Sequence, residues 1–300
     1  MDRKSILRED ACYSRRSRRM RLRSERSLLR DLLKISRMIQ FALIVAGLFA
    51  GLIINSLADD LPQRVRPLAP HCHHCGFPYH RSQWVGLFAL VVRRWRCAQC
   101  DAPMQWRRVV VEIASAAMLV YLFERFGLTV KFGLLSLLLE CLLLITVIDL
   151  EHRLILYVTV FPAALIAALY SLFGAERELS KVLVGGAVGF AVVYAIYLFG
   201  WAFGAIAGRL RGQPLAEIPF GGGDVNLAGV IGLAVGWSGI VVALFIAVVC
   251  GGIGASLYLL IAFLRRRYNL FTAIPYGPFL VIGAVALLLF DSEIKNWLAR

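Results

Sequence analysis

The chain has 300 residues, 59% of them hydrophobic and 17% charged, with a formal net charge of +14. A soluble domain is nearer half apolar and a quarter charged, and here the excess falls in runs of about 20 residues, long enough to cross hydrocarbon. This excludes an ordinary soluble protein. The positive charge does not mark a nucleic-acid binder either, because no basic aromatic surface lies outside the Arg-rich loops between those runs.

Residues 1–37 carry thirteen Arg or Lys against five acids and are expected to form a disordered extension or a surface amphipathic helix. No small-residue cleavage site follows the next apolar stretch, so this is not a secretory signal, and the acids argue against a transit peptide. Eight apolar spans are predicted, near 39–57, 109–122, 134–149, 154–172, 182–207, 224–235, 240–264 and 279–290. The expected architecture is an all-α polytopic membrane protein. It divides into the extension 1–37, a first transmembrane helix at 38–57, a metal-binding loop at 58–108 and a transmembrane core at 109–300. The loops on the same side as 58–108 hold fourteen Arg, and the opposite loops hold two Arg and two Lys. Positive charge marks the cytoplasmic face, so the 58–108 side is expected to be cytoplasmic.

Four of the seven cysteines form two pairs in that loop, Cys72 with Cys75 and Cys97 with Cys100. Two CxxC turns can place four thiolates at the corners of a tetrahedron, the geometry of a closed structural zinc site. Gly76 suits the tight turn after the first pair. Two disulfides are the competing reading, disfavoured on a reducing cytoplasmic side. His71, His73, His74 and His80 crowd the same loop, but four thiolates already complete the site, so the histidines are read as solvated. Cys141 and Cys250 lie in apolar runs, where a thiol behaves as a small hydrophobe.

Asp149 ends one apolar run and Asp224 begins another, after Gly221, Gly222 and Gly223. By the alternation of spans, both lie at the same membrane boundary, where ionisable groups are costly and usually functional. Two carboxylates brought together share one proton, which lets one act as base and the other as acid on a water molecule. The helix dipole alone accounts for an acid at the start of a span, as at Asp224. The same dipole disfavours Asp149 at the end of one. Glu112, beside Arg107 and Arg108, reads as a surface ion pair, and Glu140 has no basic neighbour in sequence.

These features together resemble the bacterial prepilin peptidases, the type IV leader peptidase family of GxGD aspartic peptidases. Gly51-Leu-Ile-Ile-Asn-Ser-Leu-Ala-Asp-Asp-Leu-Pro looks like the family's GSFLNVVIHRLP segment, and the CxxC pairs stand at its zinc-loop position. Val111-Glu-Ile-Ala looks like VELA. Ile148-Asp149-Leu-Glu-His-Arg-Leu and Gly221-Gly-Gly-Asp224 match the blocks of the two catalytic aspartates, and Ile274-Pro-Tyr-Gly-Pro-Phe matches a late IPFGP segment. Two departures stand out. Ile155-Leu156-Tyr157 replaces a usual Leu-Pro-Asp, and Val225-Asn226-Leu227 replaces x-Lys-Leu after GxGD.

The resemblance implies an endopeptidase that cuts basic leaders from prepilins or pseudopilins at the cytoplasmic boundary of the inner membrane. Asp149 and Asp224 would be catalytic, and a structural zinc would sit on Cys72, Cys75, Cys97 and Cys100. It also implies N-methylation of the new N-terminus from S-adenosylmethionine, for which no motif here supplies a site. The implied partners are the precursor and the lipid bilayer, with no nucleic acid. Two alternatives stand beside it: a GxGD peptidase for another helical membrane substrate, and a non-catalytic zinc-stabilised scaffold that needs neither aspartate. Family members start shortly before the first span and place that end outside, which conflicts with the basic residues 1–37. A start at Met38 removes the conflict, and residues before it are expected to be dispensable for activity.

Overall fold

The computed structural model describes residues 3–63, 68–211, 221–265 and 275–298. Among these residues nine α-helices follow in order: α1 (Arg3–Asp60), α2 (Gly86–Val91), α3 (Trp106–Phe126), α4 (Val130–His152), α5 (Tyr157–Leu169), α6 (Leu179–Arg211), α7 (Gly222–Val235), α8 (Gly239–Leu264) and α9 (Gly277–Leu298). No strand occurs among the described residues, only isolated bridges in the cysteine loop. Helices are the expected answer for chain in lipid, because each satisfies its own backbone polar groups.

Among the described residues, five stretches are long and apolar enough to cross a bilayer: Leu33–Gln63, Val130–His152, Tyr157–Gly174, Leu179–Ala202 and Gly239–Ile261. The other three predicted spans correspond to α3, which carries Arg107 and Arg108 in its first turn, and to the shorter apolar helices Gly222–Val235 and Gly277–Phe290. Residues 3–37, expected as a disordered extension or a surface helix, continue the helix of the first span. Arg64, Arg66, Arg266 and Arg267, counted in the charge bias, lie outside the described residues, as does Ile274 of the late matched segment.

The core is built around α4, α5, α7 and α9. Leu135, Leu138, Leu142 and Ile145 pack with Ala163, Ala167, Leu227, Ile231, Leu280 and Ala284. In contrast, α8 turns Phe245, Val248, Ile253 and Leu257 outward. Lipid tails are as apolar as these side chains, so helix pairing rests on close backbone approach at small residues. The α6–α7 contact is the tightest case. A Cβ on Gly185 would lie 2.5 Å from the Gly232 carbonyl oxygen, so any side chain there separates the helices. The far end of α7 is also fixed. Ser171 donates to the Leu233 and Ala234 carbonyls at 2.6 and 2.9 Å, and Arg177 donates to Ala234 at 2.7 Å, satisfying carbonyls that a helix C-terminus leaves open. Both constraints fix the position of α7, and Asp224 lies in its first turn.

Candidate functional site

The cysteine loop is built from two equivalent knuckles. In the first, Cys72 N–H donates to the Phe77 carbonyl and Gly76 N–H to the Cys72 carbonyl. In the second, Cys97 N–H donates to Ala102 and Asp101 N–H to Cys97. Gly76 and Asp101 each follow the second cysteine of their pair and adopt positive φ, 71° and 55°. Glycine does this without strain. Asp101 is held there with its carboxylate on Arg96 at 2.6 Å.

The knuckles bring the four thiols together. Their sulfurs lie within 4.8 Å of one another, with Cys72–Cys100 at 3.7 Å and Cys75–Cys97 at 3.6 Å. All four are free. A tetrahedron with metal–sulfur bonds of about 2.3 Å has edges of about 3.8 Å, so the cluster fits a metal ion. Burial pushes the Cys72 thiol up, but the N–H groups of Cys75 and His74 and the neighbouring thiols outweigh it and bring it down to about 6. The Ala102 N–H pulls Cys100 down, yet desolvation and the three other sulfurs push it up to about 12. Such a group does not lose its last proton readily unless a cation compensates the accumulated charge. His73, His74 and His80 are exposed, and His71 faces Asp60 at 3.6 Å rather than the thiols.

A second cluster lies where α4, α7 and α9 meet. Asp149 occupies the last turn of α4, which closes on Arg153 in the left-handed conformation with its N–H on the Asp149 carbonyl at 2.9 Å. Asp224 sits in the first turn of α7, where Gly221 N–H donates to its Oδ2 at 3.2 Å. The two side chains are 5% and 7% exposed and are electrostatic neighbours. Asp149 Oδ2 is buried and has no hydrogen-bond partner among the described residues.

Glycines set the spacing. The first residue of α9, Gly277, turns its N–H toward the Asp149 carboxylate. A Cβ on Gly277 would come 2.5 Å from Asp149 Oδ2, and one on Gly223 would come 2.6 Å from Ile155 Cβ. Ile155 reaches the Gly277 position as well, at 3.3 Å, so one side chain from the α4–α5 corner contacts both motifs. Tyr276 lies close enough to Asp224 to feel its charge. The structure thus joins the two predicted aspartates and adds Gly277 and Tyr276. These two stood in a matched segment, but nothing in their residue types announced a place beside the carboxylates.

Glu112 corrects the sequence reading. It is fully buried rather than a surface ion pair, and it accepts the Gly86 and Leu87 N–H groups at 2.7 and 2.9 Å. The physical reason is α2, a helix inside the loop whose first N–H groups need an acceptor where it docks on α3. Arg107 and Arg108 pair instead with Asp59 at the end of α1, and Arg107 also reaches Glu151, two residues beyond Asp149. Glu140 accepts from Ser115 Oγ at 2.6 Å, a part-buried link between α3 and α4.

Residues 136–256 match the family described as the type IV leader peptidase family, and residues 45–126 match the bacterial peptidase A24 N-terminal domain. The chain belongs to the type IV leader peptidase family. Both aspartates of this family member fall in the first match, and all four clustered cysteines fall in the second. The prepilin leader peptidase/N-methyltransferase of Stutzerimonas stutzeri is 28% identical over 232 residues, covering 76% of this chain and 75% of that protein. The protein of the same name from Legionella pneumophila is 29% identical, covering 75% and 74%. That of Aeromonas hydrophila is 28% identical, covering 80% and 77%. No solved structure matches the chain.

Proposed function

We propose that this membrane peptidase removes N-terminal leaders from type IV prepilins or pseudopilins, with Asp149 and Asp224 as its catalytic pair. The observation that carries the reading is the meeting of two nearly buried carboxylates from helices 75 positions apart in sequence, at the ends of their spans. Two such groups hold one proton between them. The ionised member takes a proton from water, which attacks the scissile carbonyl, while the protonated member gives its proton to the carbonyl oxygen. The resulting gem-diol collapses, the peptide C–N bond breaks and the leaving nitrogen takes up a proton from the dyad. The precursor's apolar helix would lie among the spans with its leader on the Arg-rich side, which we assign to the cytoplasmic face of the inner membrane.

The metal on the four cysteines is, in this reading, zinc. Four thiolates close its coordination, so it organises the loop and activates no water. The relatives' names also carry an N-methyltransferase. Extended to this chain, that activity transfers a methyl group from S-adenosylmethionine to the newly freed amine. Nothing among the described residues identifies a pocket for that cofactor, and the cleavage steps do not involve it.

The test is co-expression with a prepilin, reading leader loss by intact mass. Asp149→Asn and Asp224→Asn should each abolish processing while leaving the protein in the membrane. An active Asp224→Asn protein would overturn the mechanism, and absence of processing by the unsubstituted protein as well would favour a scaffold.

A further inference from the structure

The cysteine loop carries an apolar surface that neither the metal nor the aspartates use. Its helix α2 buries Gly86 and Ala89 and turns Phe88 (53% exposed) and Val91 (72% exposed) outward, with Val92 following. Its depth is fixed by Glu112, which holds the first N–H groups of α2. Glu112 lies six residues past Trp106, the first residue of α3, or about 9 Å along that helix. Thus α2 docks beside the part of α3 read as a span, not above it. The neighbouring faces of α3 are apolar and exposed too, at Val110 and Ile113.

The rim of this surface has the opposite chemistry. Trp95 packs on Trp106 with ring centroids 5.1 Å apart, and amphipathic tryptophans favour the headgroup level. Immediately beside Trp95, a cavity of about 460 Å³ is lined by His80, Gln83, Arg93, Arg94 and Arg96. Asp101 neutralises Arg96. Arg94 donates to a hydroxyl, Ser82 Oγ at 3.3 Å, and neither Arg93 nor Arg94 has an acidic partner among the described residues. The lining therefore keeps a positive charge, and the adjoining apolar wedge fits acyl chains. That pairing of an apolar face with a basic rim is how a protein segment lies in an anionic lipid surface.

We propose that α2 inserts into the bilayer interface as a wedge, and that the cavity between His80 and Arg93–Arg96 holds the phosphate of an anionic phospholipid headgroup. The site is separate from the aspartate pair and does not depend on the cleavage reading. Full-length protein in micelles is titrated with phosphatidylglycerol or phosphatidylcholine of identical acyl chains, and retained lipid is counted by native mass spectrometry. Phosphatidylglycerol should be retained about tenfold better, and a double substitution, R93Q with R94Q, should remove that preference at unchanged metal content. Inorganic phosphate at millimolar concentration should not displace the lipid; displacement would make the cavity a soluble-anion site and overturn the proposal. Equal retention of the two lipids, or full preference in the double variant, would overturn it as well. The wild-type protein gives an independent check. In vesicles with brominated acyl chains, the fluorescence lost on replacing Trp95 and Trp106 by Phe should be strongly quenched, and its absence of quenching would sink the wedge.

Discussion

The cysteine loop and the aspartate pair both bring distant side chains together, but they are assembled in opposite ways. Each knuckle closes within six residues through its own backbone hydrogen bonds, with its first cysteine buried and its second exposed. The aspartates depend on three helices from distant parts of the chain, held by glycines whose hydrogens leave just enough room. A local unit tolerates change around it and fails when its own ligands go. A junction of helices fails when any of its spacings changes, even at residues with no chemistry of their own.

The sharpest way to break the comparison is at the carboxylates. Asp149→Asn or Asp224→Asn should lower cleavage by at least roughly 10²–10⁴-fold, and the double variant should be no worse than either single one, because the pair acts as one unit. A cleavage assay of the three proteins at equal amounts decides this. Next comes spacing. Gly277→Ala puts a methyl group against Asp149 Oδ2 and should lower the cleavage rate about tenfold or more, with metal content and helix content unchanged. Gly232→Val should instead part α6 from α7 and cost about 1–3 kcal/mol, read as a lower melting temperature in detergent.

Changes in the loop should act the other way round. Cys97→Ser, or stripping the metal with a chelator, should release the ion and expose 68–105 to protease while residual cleavage persists. Metal analysis, limited proteolysis and the cleavage assay on one sample separate these effects. Glu112→Gln should weaken the seat of α2 by about 1–3 kcal/mol and speed proteolysis near Gly86 without loss of metal. The smallest effect is expected from removing residues before Met38, which should leave cleavage intact. Loss of activity there would make the basic segment a membrane-surface or partner-binding element.

The sequence announced both sites to different depths. The clustering of the four cysteines was legible because CxxC spacing is itself the geometry of a knuckle. The aspartates were legible as a pair because the alternation of spans puts Asp149 and Asp224 at one boundary, but it says nothing of what surrounds them. Gly277 and Ile155 complete the environment through shape alone, and shape leaves no residue-type signature. Glu112 was misread for a related reason: its partners are backbone N–H groups 25 and 26 residues away, invisible to any search for opposite charge. Helix α2 was hidden because six apolar residues are too few to register as a span and were absorbed into a polar loop.

The contact between Gly277 and Asp149 has a consequence for the order of events during synthesis. The chain emerges with α4 first, α7 roughly seventy residues later and α9 about fifty after that. Until α9 is inserted, Asp149 lacks the N–H that faces it and the wall that encloses it, even though α6 and α7 can already have paired as neighbours. The carboxylate environment is therefore completed only by α9, the last of the described helices to be synthesised.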